Sequence, residues 1–142
     1  MTNDFFDITC RSVMLLCLSP DYIAGKMMIV RALLSGADLL VVTPSSLPLT
    51  AIDEPIDFAA MVPAQVVESL KSTMQKSRLS RITSLIIGGA PLSPGTEVEL
   101  EKLPVDMYAT YGMTETVSHV ALRRIGDSLS LYCACLLYTS PS

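Results

Sequence analysis

Residues 12–42 read SVMLLCLSPDYIAGKMMIVRALLSGADLLVV, and the order of signals within them decides the fold. Ser12 to Leu18 is a short apolar run stopped by Ser19-Pro20, the pattern of a strand buried on both faces of a parallel sheet. From Tyr22 to Leu34 the apolar residues Ile23, Met27, Val30 and Leu34 recur at helical spacing, and Ser35-Gly36 supplies a stop. Asp38 to Val42 is a second apolar run. Strand, helix and strand in that order make one crossover unit.

The same alternation continues outward. Thr43 to Pro55, with three prolines and two serines, reads as a loop, and Asp57 to Val62 (DFAAMV) opens the next element. Pro63 then starts one helix whose Val66, Val67, Leu70 and Met74 follow the 3.6 period, with Lys71, Lys76 and Arg78 towards its C-terminal end, where cations suit the helix dipole. Ser84 to Ile87 is a strand running into Gly88-Gly89-Ala90-Pro91. Ser93, followed by Glu97 and Glu99, begins a helix that ends before Pro104, and Asp106 to Thr110 is a strand that meets Tyr111-Gly112. The expected class is α/β, a mostly parallel sheet with flanking helices, and such sheets place ligand chemistry in loops at the carboxyl ends of the strands.

Composition narrows the function. The 142 residues are 50% hydrophobic with a mean hydropathy of +0.47, which suits one domain with a real core. Lys+Arg number 10 against 14 Asp+Glu, net −4, with the basic residues scattered, so no footprint for nucleic acid or an anionic membrane is present and a small-molecule substrate is expected. The longest apolar stretch, Met27 to Val42, is broken by Arg31, Gly36 and Asp38 and falls short of the roughly 20 residues that span a bilayer. The acidic N-terminus MTNDFFDITC does not resemble a signal peptide, and the chain reads as cytoplasmic. Cys10, Cys17, Cys133 and Cys135 lack zinc-ligand spacing, and the first two are expected as buried thiols. Oligomeric state is not legible.

Two loops carry chemistry. In IIGGAPLSP, residues 86–94, a strand ends on two glycines, which either make a tight turn or let the backbone approach a flat ligand or a phosphate. It matches neither the phosphate loop of nucleotide triphosphatases nor the dinucleotide-binding turn. In YGMTET, residues 111–116, an aromatic ring, a glycine, a hydroxyl and a carboxylate fall close together. A tyrosine can stack on a base, a threonine can reach a phosphate oxygen and a glutamate is the hard oxygen ligand that Mg²⁺ prefers, although a strand turn with a solvated Glu115 has the same spacing.

The pair GGAPL (88–92) and YATYGMTE (108–115), in this order and separation, resembles the adenylate-forming family of acyl-CoA synthetases, peptide-synthetase adenylation domains and luciferases. That resemblance implies part of the large N-terminal domain of such an enzyme. It places Gly88, Gly89, Ala90 and Pro91 along the adenine, Tyr111 stacked on it within the Tyr111-Gly112-Met113 turn, Thr114 on the α-phosphate and Glu115 on Mg²⁺. Thr114 and Glu115 become the catalytic candidates, with ATP, Mg²⁺ and coenzyme A as the implied cofactors and co-substrates and a small carboxylic acid as substrate.

Within the family, LSPDYIAGKMMIVRALLSGADLL, DFAAMVPAQV and TYGMTETVSHVALR are similar to the o-succinylbenzoate–CoA ligases of menaquinone biosynthesis. That subgroup likeness implies that Arg31 faces the substrate carboxylate, for which a guanidinium fork is well shaped; a capping or snorkelling arginine on an amphipathic helix fits the same position. A general aryl- or fatty-acyl-CoA ligase and a non-catalytic nucleotide-binding module are the competing readings. His119, the only histidine, has no Ser or Cys in a nucleophile setting beside it and is expected to pack near the loop or line the substrate. Lys26 lacks the glycine-rich loop of a phosphate-gripping lysine.

The resemblance also implies parts that these residues do not supply. A Ser/Thr/Gly-rich loop with a lysine belongs upstream of Met1, and a ribose-binding Asp, a hinge and a lysine-bearing C-terminal domain belong downstream; Gly126-Asp127 follows the Tyr111 turn too closely to be that Asp motif. The expectation is an internal portion of a larger enzyme, inactive alone, with residues 1–124 belonging to the AMP-binding domain. After Arg124 the likeness stops, and CLLYTSPS, residues 135–142, resembles the translation of a sequencing adapter, so 125–142 are expected to be wholly or partly non-native.

Overall fold

Val13–Leu16 forms β1, Ile23–Ser35 forms α1 and Asp38–Val41 forms β2, the crossover expected of the opening stretch. In the computed structural model, which describes residues 6–112, 119–126 and 133–134, β1 and β2 pair in parallel from Val13 against Asp38 to Leu16 against Val41. α1 stops where Gly36 turns left-handed at φ +74° and donates its N–H to the Ala32 carbonyl at 2.9 Å, a conformation glycine adopts without the steric cost of a side chain.

The remaining elements are β3 (Ile56–Met61), α2 (Pro63–Leu70), α3 (Thr73–Leu79), β4 (Ile82–Ile87), α4 (Pro94–Glu101), β5 (Asp106–Gly112), β6 (His119–Arg124) and β7 (Cys133–Ala134). They make one sheet in the order β2-β1-β3-β4-β5-β6-β7. The strands from β2 to β5 are parallel, whereas β6 and β7 are added antiparallel. Alternation along each strand divides the core between two faces. Leu15, Cys17, Ala59, Met61, Leu85 and Ile87 meet Val66 of α2, Leu79 of α3 and Leu100 of α4 on one side. On the other, Met14, Leu16, Phe58, Ala60 and Ile86 meet Met28 and Ala32 of α1. Helices therefore cover both faces, the layering that buries a parallel sheet.

Three expectations are corrected. The single helix after Pro63 is two, because Ser72 is extended (φ −109°, ψ 127°) and its Oγ accepts from the Gln75 N–H, so a capping serine restarts the helix rather than continuing it. The apolar residues of α1 do not mark its inner face: Val30 is 39% exposed and Leu34 79%, while Gly25, Met28, Arg31 and Ala32 are buried. The reason is Gly25, where an added Cβ would fall on the Ser19 carbonyl, so the close approach of the helix to Ser19-Pro20 sets its rotation. Cys10 is exposed, and Cys17 alone of the two is buried. The sheet also continues beyond Tyr111-Gly112 into β6, which carries the core residue Leu122; the chain then buries Ile125, whose N–H donates to Met107 O at 2.9 Å.

Among the described residues no helix is long and apolar enough to cross a membrane, and no group of three or more His, Cys, Asp or Glu is placed to hold a metal ion.

Candidate nucleotide-binding edge

The first loop grows directly out of β4. Ile87 is the last paired residue of that strand, aligned with Ala109 of β5, so Gly88 stands beside Thr110 one step beyond. The Gly88 N–H donates to Met61 O at 3.1 Å, which ties the loop to the end of β3 as well. Gly89 then takes φ +93°, a left-handed conformation that disfavours any side chain, and a Cβ there would meet only Val62 Cγ1 at 3.5 Å. Gly89, Ala90 and Pro91 are exposed at the carboxyl ends of the parallel strands. Ser93 closes the loop by capping α4, its Oγ accepting from the Thr96 N–H at 3.2 Å.

Gly88 and Gly89 are glycines for different reasons. The space a side chain at 88 would need is filled by Thr110, whose Oγ1 also donates to Ile87 O at 3.4 Å. Gly88 thus serves the packing of two strands, and the open surface for a ligand begins at Gly89.

The second loop leaves the neighbouring strand. The backbone of Tyr111 and Gly112 continues β5 and pairs with β6, with a bulge between them, and His119 begins β6 opposite Gly112. The glycine loop and the start of the YGMTE turn therefore lie on adjacent strand ends. Met113, Thr114 and Glu115 lie outside the described residues.

Arg31 stands apart from this edge. It lies eight residues after Ile23, about 12 Å along α1 at 1.5 Å per residue, in a helix that starts at the carboxyl ends of the strands and runs back towards their beginnings. It is 5% exposed, and its Nη1 donates to Met28 Sδ at 3.7 Å. The guanidinium is packed inside the protein, not snorkelling to water.

Sequence reasoning did not single out Gln65, which organises the same end of the sheet. Its Oε1 accepts from the Val62 N–H at 3.1 Å, and its Nε2 donates to Cys17 O and to Ser45 O, each at 3.0 Å. One buried amide so joins the ends of β1 and β3 to the loop after β2. The available signal was a glutamine at the third helical position after Val62, where a side chain reaches back to the capping residue. Beside it, burial pushes the Cys17 thiol up to about 12, and its Sγ donates to Ala60 O at 3.4 Å. This thiol is neutral and inert at physiological pH. A concavity lined by Asp57, Ser84, Asp106 and Tyr108 lies at the other ends of the strands, away from the glycine loop.

Comparison with known proteins accords with this geometry. Residues 1–138 match the family described as AMP-binding enzyme. An acyl-CoA synthetase (AMP-forming)/AMP-acid ligase II-like protein from Dyadobacter fermentans is 33% identical with a TM-score of 0.88, over 95% of this chain and 39% of that one. O-succinylbenzoate coenzyme A synthetase from Bacillus subtilis, solved with ATP and magnesium, is 19% identical with a TM-score of 0.76, over 90% of this chain and 27% of that one. The N-terminal subdomain of Klebsiella oxytoca NpsA is 15% identical with a TM-score of 0.72, over 87% of this chain and 34% of that one. The last two likenesses are of fold. This chain thus spans well under half the length of the solved chains it matches. Among curated proteins none matches.

Proposed function

The chain belongs to the AMP-binding enzyme family, and from that premise we propose that its glycine-loop edge is the adenine side of the site of an AMP-forming acid–CoA ligase. The observation that carries the reading is the register of β4 and β5, which sets GGAPL and the opening of the second motif, Tyr108 to Gly112, on adjacent strand ends with Gly88 beside Thr110. Exposed, side-chain-poor backbone at Gly89 and Ala90 fits the flat face or edge of a purine.

In this reading the backbone of Gly88, Gly89, Ala90 and Pro91 lines the base, Tyr111 stacks on it, Thr114 orients the α-phosphate and Glu115 supplies the carboxylate that Mg²⁺ needs. ATP with Mg²⁺, when bound, supplies an activated phosphorus and charge neutralisation for pyrophosphate departure. The chain's residues position and stabilise; none acts as a general base, since a carboxylate substrate is already ionised. The thiol of coenzyme A would then take the acyl group as a thioester, with the bond between acyl carbon and phosphate oxygen broken and AMP leaving. Residues 1–124 are part of the AMP-binding domain, with 125–142 wholly or partly non-native, and the protein works in the cytoplasm.

For the acid itself we propose o-succinylbenzoate, supported by the likeness of the segments around Arg31. The alternative is a general aryl- or fatty-acyl-CoA ligase, favoured by the higher identity to the Dyadobacter acyl-CoA synthetase-like protein. The test is carboxylate-dependent release of pyrophosphate from ATP, by the chain alone and by a polypeptide of its relatives' length that carries it. The chain alone is expected to be inactive and the longer form active with o-succinylbenzoate, with Glu115→Gln reducing kcat by about 10²-fold or more. Undiminished kcat/KM in Arg31→Ala would remove o-succinylbenzoate in favour of the general ligase, and no release with any acid would sink the ligase reading itself.

A further inference from the structure

The two ligand loops meet at one side chain that neither motif explains. Thr110 lies on β5 immediately before Tyr111, and its Oγ1 occupies the place where a Cβ on Gly88 would stand, while its Cβ is 3.5 Å from that same place. The Thr110 Oγ1 also donates to Ile87 O at 3.4 Å, the last carbonyl before the glycine loop. Gly88 in turn is anchored from its other side, through its N–H to Met61 O at 3.1 Å. The β4 end is therefore held between β3 and a single β5 side chain.

We propose that Thr110 is a positioning residue: with Gly88 it forms a matched small–large pair that fixes the separation between the glycine loop, 88–91, and the end of β5 that carries Tyr111. The proposal rests on the nucleotide-site reading for its consequence, since this separation is the width of the slot in which the base would lie. It does not rest on that reading for its geometry. In this role Thr110 acts through the backbone it places along the base and not on the reacting atoms themselves.

The pair makes a prediction that ordinary core packing does not. Gly88→Ala puts a methyl group onto the threonine hydroxyl and forces the strand ends apart. Removing that hydroxyl with Thr110→Ala leaves the nearest atom at 3.5 Å, an ordinary contact. The two substitutions should therefore compensate. In the 142-residue chain, Gly88→Ala is expected to lower the melting temperature by about 4 °C, and the double variant Gly88→Ala/Thr110→Ala to recover most of it. Additive losses would overturn the pair.

Positioning is separated from mere stability by titrating ATP with Mg²⁺ into a polypeptide of its relatives' length that carries this chain, at a temperature where every variant is folded. Thr110→Ala, which loosens the spacing, is expected to weaken ATP binding about tenfold, and Thr110→Ser, which keeps the hydroxyl, to restore it. A Thr110→Ala variant with lowered stability but wild-type ATP affinity would reduce Thr110 to a packing residue and end the proposal. If the longer wild-type polypeptide binds no ATP while the double variant still compensates, the nucleotide reading fails and the spacing role stands. Hydrogen exchange at the Gly88 and Gly89 amides gives the ligand-free check, with faster exchange expected in Thr110→Ala and not in Thr110→Ser.

Discussion

The glycine-loop edge and the outer face of α1 are opposites in what they contain and how they are packed. At Gly88 the sequence offers no side chain, yet the space is full, because Thr110 reaches into it and Met61 holds it from behind. On α1 and its capping residue the sequence offers Tyr22, Ile23, Val30, Leu33 and Leu34, and all five are exposed, with Leu33 and Leu34 at 78% and 79%. Val41 on β2, the edge strand of the sheet, is exposed as well, at 69%. Apolar content is thus a poor guide to where this chain is tightly built. Backbone approach, permitted by a missing side chain, is the better one: Gly88 against β5 and Gly25 against Ser19 fix, respectively, the spacing of the loops and the rotation of the helix.

The largest expected effect breaks the contrast from inside α1. Met28 is fully buried among Met14, Leu16 and Phe58, so Met28→Ala removes packed volume that the rigid sheet beneath cannot refill. A loss of about 2–5 kcal/mol in unfolding free energy is expected, measured by urea denaturation. A loss as small as that of a surface site would mean that α1 does not dock by its Gly25–Met28–Ala32 face.

How much of this was legible depends on which physical signal each element leaves in sequence. The order of strands and helices came through because proline, glycine and serine punctuate it, and the Ser93 cap lies where its side chain predicts. The break at Ser72 was hidden, because Val66, Val67, Leu70 and Met74 hold helical spacing across it and a capping serine looks like any polar helix residue. The rotation of α1 was hidden for a related reason: periodicity states that a helix has an apolar face, whereas a contact to a distant carbonyl decides which face turns inward. The candidate site was legible as two glycine-bearing strand ends. Gln65 and Thr110, which hold those ends, were not, since their partners at Cys17, Ser45 and Gly88 are far away in sequence.

A second, smaller effect sharpens the packing at the site end of the sheet through pH. The Cys17 thiol has its pKa raised by burial, from 9.0 to about 12, so the folded chain holds this proton more tightly than the unfolded one. Its contribution to stability is complete below the unfolded value and declines as pH rises from about 9 towards 12, by roughly 1 kcal/mol per pH unit. Denaturant midpoints measured from pH 8 to 11 should fall more steeply for the wild type than for Cys17→Ala. Equal slopes would place water at this thiol and loosen the account of the Gln65 junction beside it.

The smallest effect is the one that decides whether the outer face of α1 is open. Leu33 and Leu34 contribute little to the fold if about four-fifths of each is in water, so replacing both by glutamine should change unfolding free energy by no more than about 0.5 kcal/mol per site, since glutamine matches leucine closely in helix propensity. The measurement is the same urea series, made on dilute and concentrated chain. A cost above 1 kcal/mol that persists on dilution would show that this face is covered within one molecule, whereas a cost that appears only at high concentration would show that copies cover it for one another. In either case the contrast with the Gly88 edge would be one of partner rather than of packing, because the apolar period of α1 would then have an inward face of its own.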